Sequence, residues 1–123
     1  MRLLIADDEK EVELLLAPAL AQHGFADVTF VRDPAVSVQK IQELQPDVVI
    51  LDINFNVKDF DGFEVLRRAK LLSVQTRFIM SSTYTEFSGK AIAAGADGFL
   101  PKPTSMDKMI KKINEIAGKA GLA

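Results

Sequence analysis

The stretch Asp47-Val48-Val49-Ile50-Leu51-Asp52 sets four consecutive apolar residues, mostly β-branched, between two acids. A run this short and this β-branched reads as a strand buried on both faces, which requires a sheet covered by helices on both sides. In open α/β sheets of that kind, ligands bind beyond the carboxyl ends of the strands, where strand order reverses. Asp52 stands at such an end and is the first candidate for a working carboxylate.

The rest of the chain repeats the pattern. Leu3-Leu4-Ile5-Ala6 is a second apolar run, and it ends in Asp7, Asp8 and Glu9. The spacing of Val12, Leu15, Leu16, Ala19 and Leu20 predicts a helix with those residues facing inward. Pro18 falls inside it and is expected to kink it or leave a carbonyl unpaired. His23-Gly24 marks its end. A strand over Val28 to Val31 precedes Asp33-Pro34, a capping carboxylate followed by proline at the first helical position. Val38, Ile41 and Leu44 give this second helix its apolar stripe, and Pro46 stops it. After Asp52 a polar, irregular loop runs from Ile53 to Phe60. Asp61 then caps a helix with Glu64 at its third position and Phe63, Leu66 and Ala69 facing inward.

Phe78-Ile79-Met80 forms a fourth strand and runs into Ser81, Ser82 and Thr83. A weak helix over roughly 86–94 contains Gly89, which costs about 1 kcal/mol relative to Ala. Gly95 is its expected cap. Gly98-Phe99-Leu100 leads into Pro101-Lys102-Pro103, and a last helix near 105–119 carries Met109, Ile113, Ile116 and Ala120 on one face. The strands therefore fall near 2–6, 27–32, 47–52, 77–82 and 97–101. Five such alternations predict a single α/β domain over 1–123, with a parallel sheet and right-handed crossovers.

Composition narrows the function classes. The chain has 123 residues, a net charge of −2 and no cysteine. The charge gives no global electrostatic case for nucleic acid or an anionic membrane. Without cysteine there are no disulfides, thiolate metal sites or thiol nucleophiles. No apolar run approaches the ~20 residues of a membrane span, and the N-terminus does not read as a signal peptide. A cytoplasmic domain is the expectation.

If the strands are parallel, Asp7, Asp8, Asp52, the hydroxyls of Ser81 and Ser82, and Lys102 gather at one edge of the sheet. Carboxylates crowded together repel one another, which raises a pKa or demands a cation. Oxygen donors without His or Cys suit a hard ion, Mg²⁺ first and Mn²⁺ as an alternative. A carboxylate beside such an ion, a lysine and a hydroxyl suits a phosphoryl acceptor. Taken singly, Asp7 and Asp8 read as a strand end or helix cap, Asp52 as a turn acid, the serines as commonplace and Lys102 as a surface lysine. Their placement at successive strand ends favours the functional reading. His23, the sole histidine, reads as a helix-terminal surface residue. The five lysines and two acids after Pro101 read as a solvated helix, since no aromatics interleave.

These residues resemble the receiver domain of two-component response regulators over essentially the whole chain. The resemblance rests on Asp7-Asp8, the run ending in Asp52, Asp61-Gly62-Phe63-Glu64-Val65-Leu66, Ala94-Gly95-Ala96-Asp97-Gly98-Phe99-Leu100, and Lys102-Pro103. It implies a flavodoxin-like, doubly wound fold with strand order 2-1-3-4-5, an order taken over from the family. It implies that Asp52 is phosphorylated and that Asp7, Asp8 and the backbone carbonyl of Asn54 join it in holding Mg²⁺. Ser82 is then the hydroxyl that swings toward the phosphoryl group, with Ser81 as the alternative, and Lys102 pairs with that group. The bond before Pro103 is cis and Phe99 changes rotamer, biasing a surface of the fourth helix, fifth strand and fifth helix. The implied partners are a sensor histidine kinase or phosphotransfer protein and a downstream protein target. The implied state is a monomer or a phosphorylation-dependent dimer, with no activity beyond self-catalysed phosphorylation and dephosphorylation.

Two other classes compete. A pseudo-receiver would bind a partner without phosphorylation, yet it has no need of the whole acidic pocket. A phosphatase of the haloacid dehalogenase type would carry a second Asp two positions after the nucleophile, where this chain has Asn54. The chain also departs from the family pattern: the loop from Ile53 to Asp61 is longer than usual, and the stretch from Ser82 to Gly95 is shorter. Asn54 and Tyr84 occupy variable positions flanking the site and are expected to tune how long the phosphoryl group lasts.

Overall fold

The computed structural model describes residues 1–119. Ala120, expected on the inner face of the last helix, lies outside the described residues. Five strands, β1 (Arg2–Ala6), β2 (Asp27–Val31), β3 (Val48–Asp52), β4 (Arg77–Ser82) and β5 (Gly98–Pro101), alternate with five helices. These are α1 (Lys10–Gln22), α2 (Pro34–Leu44), α3 (Gly62–Leu72), α4 (Phe87–Ala93) and α5 (Met106–Lys119). The strands are all parallel, in the order β2-β1-β3-β4-β5.

Alternation along the strands divides the core in two. Leu4, Val49, Leu51, Phe78 and Met80 face α2, α3 and α4, where Ile41, Leu66 and Ala91 meet them. Leu3, Ile5, Ile50 and Ile79 face α1 and α5, where Leu20, Ile113 and Ile116 close the layer. Every residue of β3 is buried, as a central strand covered on both faces must be.

The caps follow the sequence. Asp33 accepts the Val36 N–H at 2.9 Å ahead of Pro34, and Asp61 accepts the Glu64 N–H at 3.0 Å. Glu64 itself turns to Arg67 and Arg68, whose hydrogen bonds hold its carboxyl at about 2. Gly24 and Gly95 both have positive φ, the latter at +103°, which a side chain would resist.

The inner face of α1 differs from the expected one. Leu15 is 72% exposed, beside an equally exposed Leu14, and Leu20 is the only fully buried residue of the helix. Val12, Leu16 and Leu20 fall every fourth residue and form a narrow seam against the sheet. Leu15 sits about a quarter-turn off that seam. The helix runs on through Pro18, whose ring removes the donor for the Leu14 carbonyl, on the exposed side where water can reach it.

Helix α4 is short, seven residues, and Gly89 stands on its exposed side with nothing within 4 Å of where a Cβ would sit. Gly89→Ala is therefore expected to stabilise the fold by about 0.5–1 kcal/mol in urea melts, since it removes backbone entropy from the unfolded chain without a clash. A neutral or destabilising result would mean that α4 needs the flexibility of glycine. No helix among the described residues is long and apolar enough to cross a membrane.

Candidate functional site

The registers bring the polar ends together. β1 and β3 pair through Ala6 and Leu51, so one step further Asp7 comes opposite Asp52. Asp52 is itself paired with Ser81 on β4, and Ser82 with Pro101 on β5. Lys102 follows directly, its N–H bonded to the Ser82 carbonyl at 2.9 Å. The Lys102–Pro103 peptide is cis.

Lys102 spans the two buried acids. Its Nζ donates to Asp7 Oδ2 at 2.5 Å and lies 3.3 Å from Asp52 Oδ1. Asp7 Oδ1 also accepts the Glu9 N–H at 3.0 Å, so each of its oxygens makes one hydrogen bond and keeps a lone pair free. Asp52 has a weaker hold: the Asn54 N–H approaches Oδ1 at 3.4 Å. Asp7, Asp8 and Asp52 each offer a carboxylate oxygen within 4.8 Å of the others, with Asp8 the least buried of the three. Three hard oxygen donors packed this closely, with no nitrogen or sulfur among them, fit a divalent ion such as Mg²⁺.

Burial raises the Asp52 carboxyl to about 6, and the charge of Asp7 adds to the rise, while Lys102 and the Asn54 N–H oppose it. Asp52 is 5% exposed. Asp7, Asp52 and Lys102 line part of a cavity of about 360 Å³ whose other walls include Ile5, Ile50, Val12 and Leu16. Burial would lower the pKa of Lys102, but its hydrogen bond to Asp7 and the charges of Asp52 and Asp7 outweigh that and raise it. Lys102 is therefore a fixed cation across the pH range in which Asp52 titrates.

The family model for the response regulator receiver domain matches residues 3–114. The chain belongs to this family. Among its curated relatives, the chemotaxis protein CheY of Bacillus subtilis (strain 168) is 34% identical over 116 residues, covering 93% of this chain and 95% of CheY. The transcriptional regulatory protein TrcR of Mycobacterium tuberculosis is 30% identical over 92% of this chain, which spans only 44% of TrcR. Among solved structures, NtrX of Brucella abortus matches with a TM-score of 0.89 at 26% identity, over 98% of this chain and 28% of NtrX. A CheY-like receiver domain protein from Methanospirillum hungatei matches at 0.86 and 26% identity, over 98% of this chain and 95% of its own.

The two serines of the receiver are held differently. Ser81 Oγ donates to the Leu100 carbonyl at 3.0 Å, whereas Ser82 Oγ accepts the Tyr84 N–H at 3.0 Å. The Ser81 proton is thus committed to β5. Phe99 is half-buried and packs against the core cluster on the α4 side of the sheet. The side chains of Asn54 and Tyr84 are exposed and, with Asn56 and Thr83, line a depression of about 520 Å³. His23 is exposed and its Nδ1 lies 2.8 Å from the Ala19 carbonyl, a helix-end contact remote in sequence from the site.

Two residues of the receiver site carry no signal of their own in the sequence. Asn56 Nδ2 donates to Asp8 Oδ2 at 2.8 Å across a separation of 48 residues, which no local pattern announces. Gly62, in the run Asp61 to Leu66, packs so closely on the end of β3 that an added Cβ would lie 2.2 Å from the Asp52 carbonyl oxygen. The pairing of Asp61 with a following glycine was visible; the reason for the glycine required the fold.

Proposed function

We propose that this receiver accepts a phosphoryl group on Asp52 from a phosphohistidine of a sensor kinase or phosphotransfer protein, and that its α4–β5–α5 face then changes to control a partner. The observation that carries the reading is the lysine shared between two buried acids, one of which is the end residue of the central strand. Asp7, Asp8, Asp52 and the backbone carbonyl of Asn54 would hold Mg²⁺ or Mn²⁺. When bound, the ion supplies positive charge against the phosphoryl oxygens.

The remaining chemistry belongs to the chain. Asp52 attacks as its carboxylate: an oxygen lone pair forms the new P–O bond while the P–N bond breaks and its electrons return to the donor imidazole. With its carboxyl at about 6, Asp52 is mostly ionised at pH 7.5. Asp52 is 5% exposed, and its burial strengthens each charge interaction at the reacting oxygen. Lys102 keeps its proton and is close enough to exchange Asp52 for a phosphoryl oxygen, with Asp7 holding it in place. Ser82 is the better candidate for the moving hydroxyl, because Ser81 already donates to β5. Phe99, on the α4 side of the same edge, is the residue through which that movement would reach the output face.

Incubation with acetyl phosphate and Mg²⁺, borohydride trapping of the acyl phosphate and peptide mass spectrometry test this directly. Reduction is expected to convert Asp52, and no other acid, to homoserine. A folded protein that yields no product at Asp52, or yields it at another acid, rules the proposal out.

A further inference from the structure

We infer that Asn56, in the lengthened loop after β3, is a positioning residue for the divalent ion: its amide holds Asp8 in a ligating orientation. The inference rests on the receiver reading of the acid triad and assigns a role to a residue which that reading does not use.

The three acids are held unequally. Asp52 is part of β3, and Asp7 is oriented by hydrogen bonds to both of its oxygens, from Glu9 and Lys102. Asp8 lies beyond β1 and is half-buried, and the one side-chain hydrogen bond it makes among the described residues comes from Asn56. Left to itself, such a side chain would sample several rotamers and lose that freedom on binding an ion. The amide removes the cost in advance. Since a carboxylate only accepts, the NH₂ end of Asn56 must face Asp8, and it occupies one oxygen while leaving the other available. A neutral donor also orients the acid without repelling a cation, which a lysine or arginine at this place would do.

The loop is built to put Asn56 there. Ile53 and Phe55 are 2% and 3% exposed and anchor the segment in the core. Their alternation turns Asn54 and Asn56 outward, to the side where the acids lie. Asn56 has φ +55°, a left-handed conformation that asparagine tolerates better than most residues. Turn formation alone could explain an asparagine at this position, and the test separates the two roles.

Asn56→Gly keeps the left-handed backbone accessible and removes the amide, at the cost of added freedom in the unfolded chain. Isothermal titration of Mg²⁺ into the unphosphorylated protein at fixed ionic strength is expected to show roughly tenfold weaker binding, the low end of what losing such an orienting bond costs. The melting temperature of the metal-free protein is expected to fall by only a few degrees, as the loss of one exposed hydrogen bond and the added glycine require. Asn56→Ala, which also lacks the amide but is less flexible than glycine, must show the same loss, and Val57→Ala in the same loop must show none. Unchanged or tighter binding by Asn56→Gly overturns the inference. So does a loss seen in the glycine variant alone, or one matched by unfolding of the metal-free variant at the titration temperature. Wild type that fails to bind Mg²⁺ at all would overturn the proposed Mg²⁺-dependent phosphoacceptor function itself, a different result from equal binding by wild type and variant.

Discussion

Asp52→Asn is expected to abolish the trapped acyl phosphate and, at the same time, to make the metal-free protein more stable at pH 7.5 than wild type. The second effect follows from the raised carboxyl. Unfolded, Asp52 titrates near the ordinary ~3.9; folded, it titrates at about 6. Between those values the folded state binds the proton more tightly, so wild-type stability falls as pH rises from about 4 to about 6 and levels off above. A shift of about two units corresponds to at most ~3 kcal/mol. Solvent screening at the open side of the site reduces this to roughly 1–2 kcal/mol. Asparagine has no such titration. The gap between the two proteins in urea melts should therefore be small at pH 4 and open between pH 4 and 6. Saturating Mg²⁺ should narrow it by stabilising the wild type. A gap that is absent at pH 7.5, or constant with pH, would show that Asp52 is not held at a cost in the folded protein.

Gly62→Ala is expected to cost roughly 3 kcal/mol or more, the upper range for overpacking, because the atoms in the way cannot turn aside. The new Cβ would stand 2.2 Å from the Asp52 carbonyl oxygen, 2.7 Å from the Ile53 Cα and 3.0 Å from the Asp52 carbonyl carbon, all of them backbone. The Gly62 N–H also donates to the Ile53 carbonyl at 2.7 Å, so α3 starts directly against the end of β3. Relief requires either lifting α3 or displacing the segment that carries Asp52. Phosphorylation by acetyl phosphate should therefore slow by more than the unfolded fraction accounts for. A variant within 0.5 kcal/mol of wild type, the range of ordinary surface substitutions, would show that this junction is looser than its geometry.

Much of this architecture was legible from the chain because a parallel sheet writes its strands as unbroken apolar runs. Val48 to Leu51, Leu3 to Ala6 and Phe78 to Met80 each emerge as buried strands, and the acids and hydroxyls that interrupt them mark the edge where the site lies. Helix caps at Asp33 and Asp61 were legible for a similar reason, being set by residues three apart. What escaped depended on distance along the chain. Leu14, Leu15 and Leu16 are chemically alike, and which of them faces inward depends on how narrowly α1 meets the sheet. Nor does the sequence say that Lys102 lies nearer to Asp7 than to Asp52, or that Asn56 reaches back to Asp8. Those contacts exist only after distant strands have paired.

Strand order also bears on how the molecule is assembled. β1 lies between β2 and β3, so a chain emerging from its N-terminus has all three of these neighbours once Asp52 is made. Lys102 lies beyond β5, at the far edge of the sheet, and is made fifty residues after Asp52. Any compact early form of the first three strands would bring Asp7 and Asp52 together before their shared cation exists. The charges that equip the finished pocket are thus a burden on its first half, and divalent ions or mild acid should help most at that stage.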